Sequence, residues 1–222
     1  MMLRIAIADD HTLFRRSLAL LIGTFEQMKV VIEAGNGIEL IKKLDLTEVE
    51  ILLLDLQMPE LNGFEACKKI KELYPDIKIL ILTQMNETET IKKAIALGVN
   101  GYFTKNTPPK ELKDAIWKLQ DDGFYFENSL TSVIKEILDN QSFKFDTYKE
   151  VKFTTRELEI IKFTVKGLKA REIAQKLFIS TKTVNSHKQN IQQKYGFETM
   201  MSAILYCIYH KIIDLNCLEE NI

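Results

Sequence analysis

At 222 residues the chain exceeds one small domain and is comfortable for two, since domains commonly run roughly 100–150 residues. Its 46% hydrophobic and 27% charged residues exclude a disordered or low-complexity chain, and its apolar runs (Ile51-Leu52-Leu53-Leu54, Ile79-Leu80-Ile81-Leu82) fall far short of the roughly 20 residues of a membrane span. The formal net charge of −1 hides an asymmetry: residues 1–150 carry 19 Lys and Arg against 24 Asp and Glu, whereas residues 152–211 carry 11 against 4, the pattern expected if only the second part meets a polyanion.

The first 120 residues alternate strand-like apolar runs with helix-period segments. Residues 3–8 read as a buried strand and 13–22 as a helix with Leu and Phe on one face; 29–34 and 38–44 repeat the pair. Gly35-Asn36-Gly37 between them reads as a strand-to-helix turn and nothing more. Residues 51–55 give a third strand, followed by a helix over 64–73 that stops near Tyr74-Pro75. Residues 77–82 and about 87–97 form the fourth pair, closed by Gly98. Residues 101–104 and 109–119 form the fifth, with Pro108-Pro109 suited to a first helical turn. Parallel strands need crossover helices and burial on both faces, so five such pairs predict an α/β fold: a five-stranded doubly wound parallel sheet.

Beyond it the pattern weakens. Asp121-Asp122-Gly123 is a turn signal, residues 130–138 suggest a short helix, and 140–149 are polar; residues 121–150 read as a linker between a domain at 1–120 and another at 151–222. From Thr154 the chain reads as all helix. Thr154-Thr155-Arg156-Glu157 matches a capping box, and the first helix ends near Gly167. Helices over about 170–177, 181–195 and 199–213 follow. The tight Phe178-Ile179-Ser180 turn gives the middle two helix-turn-helix spacing. Cys67, Cys207 and Cys217 are scattered and odd in number, and the opening residues run straight into a strand pattern without signal-peptide architecture, so a reducing cytoplasm is expected.

In open α/β sheets ligands sit outside the carboxyl ends of the strands. Read in order, those ends carry Asp9-Asp10, Asp55, Thr83 and Lys105: three carboxylates, a hydroxyl and an ammonium. Three carboxylates brought together repel, so a proton or a cation must join them, and magnesium suits an oxygen set that also admits phosphate. Lys105 offers a point charge to a phosphoryl oxygen and Thr83 a hydrogen-bond donor.

With Met58-Pro59 and Gly63 after Asp55, and Tyr102 before Lys105, this set in this order resembles the receiver domains of response regulators over residues 2–120. The resemblance implies that Asp55 is the phosphoacceptor, taking its phosphoryl group from a sensor histidine kinase. It implies a Mg²⁺ shell of Asp9, Asp10, Asp55 and the backbone carbonyl of Gln57. Lys105 would contact the phosphoryl group, Thr83 would be the switch hydroxyl, and Tyr102 the aromatic that swings inward when Thr83 moves. The expected activity is stoichiometric phosphoryl acceptance with at most slow self-hydrolysis, not turnover of a separate substrate. Lys105 is followed by Asn106-Thr107 where many receivers have proline, a departure common in the subgroup with the DNA-binding domain described next.

Residues 153–213 resemble the LuxR-type helix-turn-helix that is joined to receivers in NarL/FixJ-class regulators, through Phe153–Glu157, Gly167, Arg171-Glu172-Ile173-Ala174, Leu177, Ile179-Ser180, Thr183-Val184, His187 and Ile191. In the third helix Val184, Ile191 and Tyr195 form one stripe by their spacing, with His187 at its edge. The opposite face is read as Asn185, Ser186, Lys188, Gln189, Gln192 and Gln193. Placed second in the motif, this helix is expected in a DNA major groove, with Asn185, Ser186 and Gln189 reaching base edges and Lys182, Thr183, Lys188 and His187 holding phosphates. The fourth helix looks long enough both to pack and to pair with a second copy, so a homodimer on paired half-sites is expected.

Overall fold

The computed structural model describes residues 2–126, 151–166, 168, 170–197 and 199–213. The expected helix over 130–138, most of the expected linker, Gly167 and Cys217 lie outside the described residues. The chain forms two compact units, Met1–Gln120 and Asp121–Ile222.

In the first, five strands alternate with five helices: β1 (Leu3–Ala8), α1 (Thr12–Gly23), β2 (Met28–Ala34), α2 (Gly37–Leu44), β3 (Ile51–Leu54), α3 (Gly63–Leu73), β4 (Lys78–Thr83), α4 (Thr88–Ala96), β5 (Gly101–Thr104) and α5 (Pro109–Asp122). The strand order is β2-β1-β3-β4-β5, all parallel where paired. A two-residue strand, β6 (Tyr125–Phe126), follows β5 in the sheet order. It is too short to leave any periodicity in the sequence beyond the turn signal at Asp121-Asp122-Gly123. Helix α5 also runs three residues past its expected end, through polar Gln120-Asp121-Asp122, and Gly123 follows at φ +84°. That stretch supports a helix without offering an apolar mark.

Strands β3 and β4 carry continuous Ile/Leu runs because helices cover both faces of the sheet. Every residue of β3 is buried, as are five of the six in β1 and β4. Helix starts are set locally: the side chains of Asn36 and Asn62 accept from the backbone N–H of Glu39 and Glu65. Gly98, at φ +72°, follows α4 in the conformation that glycine adopts most easily.

The second unit contains α6 (Thr155–Val165), α7 (Ala170–Leu177), α8 (Thr181–Tyr195) and α9 (Met200–Tyr209). Both halves of the capping box at Thr154 and Glu157 are formed. A core of Ile160, Ala170, Ile173, Ala174 and Val184 holds α6, α7 and α8 together, with Phe163, Leu168, Leu177 and Ile179 packed against it. Helix α9 is shorter than expected. Its residues 200–208 are all buried. Cys67 and Cys207 are buried and form no disulfide, and burial pushes the Cys207 thiol up to about 12. No helix among the described residues is long and apolar enough to cross a membrane.

Candidate functional site

The strand order reverses between β1 and β3, and a crevice is expected at such a switch point. Ala8 pairs with Leu54, so the residues that follow, Asp9 and Asp55, leave the sheet side by side. The Asp55 N–H donates to the Ala8 carbonyl at 2.9 Å and the Asp9 N–H to that of Ala34 at 3.0 Å. Both carboxylates are buried, whereas Asp10 lies toward solvent. From β5, the Lys105 N–H donates to the Thr83 carbonyl at 2.8 Å, which aims the side chain back over the strand ends. Its ammonium, nearly buried, lies 2.6 Å from Asp55 Oδ2 and 2.8 Å from Asp9 Oδ2. Burial alone would lower the Lys105 pKa, but hydrogen bonds to Asp55 and Asp9 and their charge outweigh it, so the lysine is held above its usual range.

The Lys105 ammonium is shared by the Asp9 and Asp55 carboxylates, and Asp10 brings a third carboxylate beside them. Ligand atoms of Asp9, Asp10, His11 and Asp55 all lie within 4.8 Å of one another; the three carboxylates supply hard oxygens that fit a divalent cation such as Mg²⁺, with the His11 imidazole nitrogen beside them. Gln57 adjoins it, its N–H donating to Asp55 Oδ1 at 3.3 Å.

Three neighbours escaped the sequence reading. His11 Nδ1 is 2.9 Å from Asp10 Oδ1, and its backbone N–H donates to Asp9 Oδ1 at 2.8 Å. The Lys105 ammonium lies 4.9 Å from the centre of the Phe14 ring, a cation–π contact. The Arg15 guanidinium donates to the Asp9 carbonyl. All three sit on or just before α1, directly after the Asp9-Asp10 pair, and that adjacency was the available signal.

Two glycines fix the loop that carries Asp55. A Cβ on Gly63 would lie 2.1 Å from the Asp55 carbonyl oxygen and 2.6 Å from Leu56 Cα, so α3 can start this close to the site only with glycine. Gly37 does more than turn the chain: its N–H donates to the Leu61 carbonyl at 3.2 Å, and a Cβ there would meet that oxygen at 2.7 Å.

Thr83 is fully buried beside this group, and its hydroxyl is 3.5 Å from the Met85 N–H. Tyr102 corrects an expectation. Its ring is already inside the protein, and its hydroxyl donates to the Met85 carbonyl at 2.6 Å. Burial, and then the charges of Glu87 and Asp55, raise its pKa, so the hydroxyl stays a donor. The inward position reserved for the switched state is thus the one observed, and Thr83 and Tyr102 meet at Met85.

In the second unit Ser180 caps α8, its hydroxyl accepting from the Thr183 N–H at 3.0 Å. That amide is therefore occupied. Lys182, Ser186, Gln189 and Gln193 recur at i, i+4, i+7 and i+11 and are all exposed, one polar stripe along the helix. Thr183, Asn185, His187 and Gln192 flank it, half-buried, and Asn185 Oδ1 is buried without a hydrogen-bond partner. Lys188 is a second correction. It follows Val184 by four residues and precedes Ile191 by three, which puts it on the buried stripe, 5% exposed, rather than on the polar face. Its charge drew it to the polar face in the sequence reading; helix geometry overrules that.

Residues 5–117 match the family model described as a response regulator receiver domain, and residues 151–207 match that of bacterial regulatory proteins of the luxR family. The chain is 33% identical over 216 residues to the oxygen regulatory protein NreC of Staphylococcus carnosus (strain TM300), covering 96% of this chain and 100% of the relative. NreC of Staphylococcus epidermidis (strain RP62A) is 34% identical over 219 residues with the same coverage. Among solved structures, an RcsB–DNA complex gives a TM-score of 0.58 at 26% identity, over 94% of this chain and 99% of that one. Salmonella typhimurium RcsB gives 0.57 at 25% identity, over 96% and 99%.

Proposed function

The chain belongs to the two-component response regulators of the NarL/FixJ class, in which a receiver domain is joined to a LuxR-type DNA-binding domain, and from that premise we propose that a sensor histidine kinase phosphorylates Asp55 and thereby changes the grip of α8 on promoter DNA. The observation that carries this reading is the Lys105 ammonium 2.6 Å from Asp55 and 2.8 Å from Asp9 at the sheet's switch point. Asp9, Asp10, Asp55 and the Gln57 carbonyl would hold Mg²⁺, which supplies positive charge to the phosphoryl oxygens. Asp55 attacks the phosphorus of a phosphohistidine; a P–O bond forms, the P–N bond breaks, and the imidazole leaves with its electron pair. Lys105 exchanges its carboxylate partners for the new phosphoryl oxygens.

The added charge, about −1.5 to −2, draws the Thr83 hydroxyl away from the Met85 N–H. Because Tyr102 holds the same residue by its carbonyl, the segment ahead of α4 loses one anchor and keeps the other. A local electrostatic event thus biases a two-state loop. On the DNA side, Asn185, Ser186 and Gln189 would reach base edges, while Lys182, Thr183 and His187 hold phosphates. Binding as a homodimer to paired half-sites is drawn by analogy with RcsB, for which dimers on DNA are described.

Intact-mass analysis after incubation with a small phosphodonor tests the chemistry. One phosphoryl group should add, only with Mg²⁺, and it should be lost in Asp55→Asn. A folded wild-type chain that stays unmodified contradicts the assignment.

A further inference from the structure

Helix α7 ends in a Schellman motif. The N–H of Phe178 donates to the Gln175 carbonyl at 3.3 Å and the N–H of Ile179 to that of Ala174 at 3.0 Å, which places Phe178 at the left-handed position, φ +55°. The same backbone pattern closes α4, with Gly98 there, and the Phe197 N–H donates to the Gln192 carbonyl past Gly196 at the end of α8. Glycine carries no Cβ penalty in this conformation, whereas a phenylalanine does. Lys211 occupies the corresponding place after α9, but a lysine there meets the carbonyl end of a helix dipole favourably. Phe178 has no such compensation. Its side chain is 95% exposed, the most exposed of the large hydrophobic residues described, while its neighbour Ile179 packs on the core. The position therefore combines backbone strain with a bare aromatic ring, and the free chain gains no packing from either. Strain that the fold does not need is a pointer to function.

What lies next to it indicates the partner. Ser180, two residues on, caps α8, and Lys182 begins the exposed stripe that ends at Gln193. Lys176 precedes it, so the ring is flanked by cations on both sides in the sequence. We infer that Phe178 is a DNA contact: when α8 enters the major groove, the ring lies against the sugars of the backbone at the groove edge. This rests on the reading of α8 as the recognition helix. An apolar contact with deoxyribose carries no base preference and releases no counterions.

The test uses the full chain, a short duplex selected from a randomised library with the wild type, and an unrelated duplex. Gln189→Ala serves as the control for α8: if it leaves base preference unchanged, the recognition-helix reading fails on its own account. With that control positive, Phe178→Gly and Phe178→Asn should fold with a thermal midpoint no lower than wild type, because the strain is relieved. Their Kd should rise about fivefold or more on both duplexes. The slope of log Kd against log salt should stay as in wild type, and Phe178→Tyr should bind like wild type. Unchanged affinity in both variants would overturn the inference, as would a loss seen only in a purified transcription assay, which would assign the ring to a protein partner. A drop in thermal midpoint would overturn it too, by giving Phe178 a packing role.

Discussion

Glu157 shows how much one side chain can hold in a unit this small. Its carboxylate accepts from the Thr154 N–H at 2.7 Å, from the Tyr195 hydroxyl at 2.9 Å and from the Lys194 ammonium at 3.1 Å, tying the start of α6 to the end of α8. Burial would raise its pKa, but the hydrogen bonds from Thr154, Tyr195 and Lys194 win and hold it below its usual range. A depressed folded value means that the charge stabilises the fold above the unfolded pKa of about 4.3 and that this contribution is lost as pH falls through the folded value. Glu157→Gln should therefore cost about 1–2 kcal/mol at pH 7 in denaturant unfolding, with the gap to wild type closing below about pH 4. A gap independent of pH would show that the charge is immaterial.

At the scale of elements, α8 carries the division of labour proposed for DNA. Gln189 stands mid-helix on the exposed stripe, and Lys182 stands at its start. Gln189→Ala should flatten sequence preference at one base pair, worth about 1–3 kcal/mol of discrimination, with little change on unrelated DNA. Lys182→Ala should weaken binding to every duplex alike and reduce the salt slope by about 1. Equal losses from both on specific and nonspecific DNA would mean that α8 is oriented differently. Most of these elements were legible, because each has a period long enough to count: the strands by continuous apolar runs, the helices by their stripes and caps. Lys188 departs from its expected face because the 100° step groups it with Val184 and Ile191, whatever its charge. Strand β6 was missed because two residues carry no period.

Across the whole molecule, the strand-end residues Asp9, Asp55 and Lys105 could be brought together on paper because the topology rule names the sheet edge in advance. Their supports could not. Gly37 against Leu61, Phe14 under Lys105 and Arg15 on the Asp9 carbonyl depend on how helices seat on the sheet, which no local pattern encodes. Tyr102 could be picked out by its place before Lys105, but its buried position against the Met85 carbonyl depends on tertiary packing that a sequence does not print. The site and α8 belong to separate compact units, so the proposed function requires a free-energy coupling between them. The most direct test titrates the full chain against a selected duplex, with and without phosphodonor and Mg²⁺, for wild type and Asp55→Asn. Phosphorylation should tighten wild-type binding by about 5–150-fold, the range of ordinary coupling energies, and leave Asp55→Asn where it began. Equal affinity in all four conditions, with Asp55 shown to be phosphorylated, would contradict the coupling.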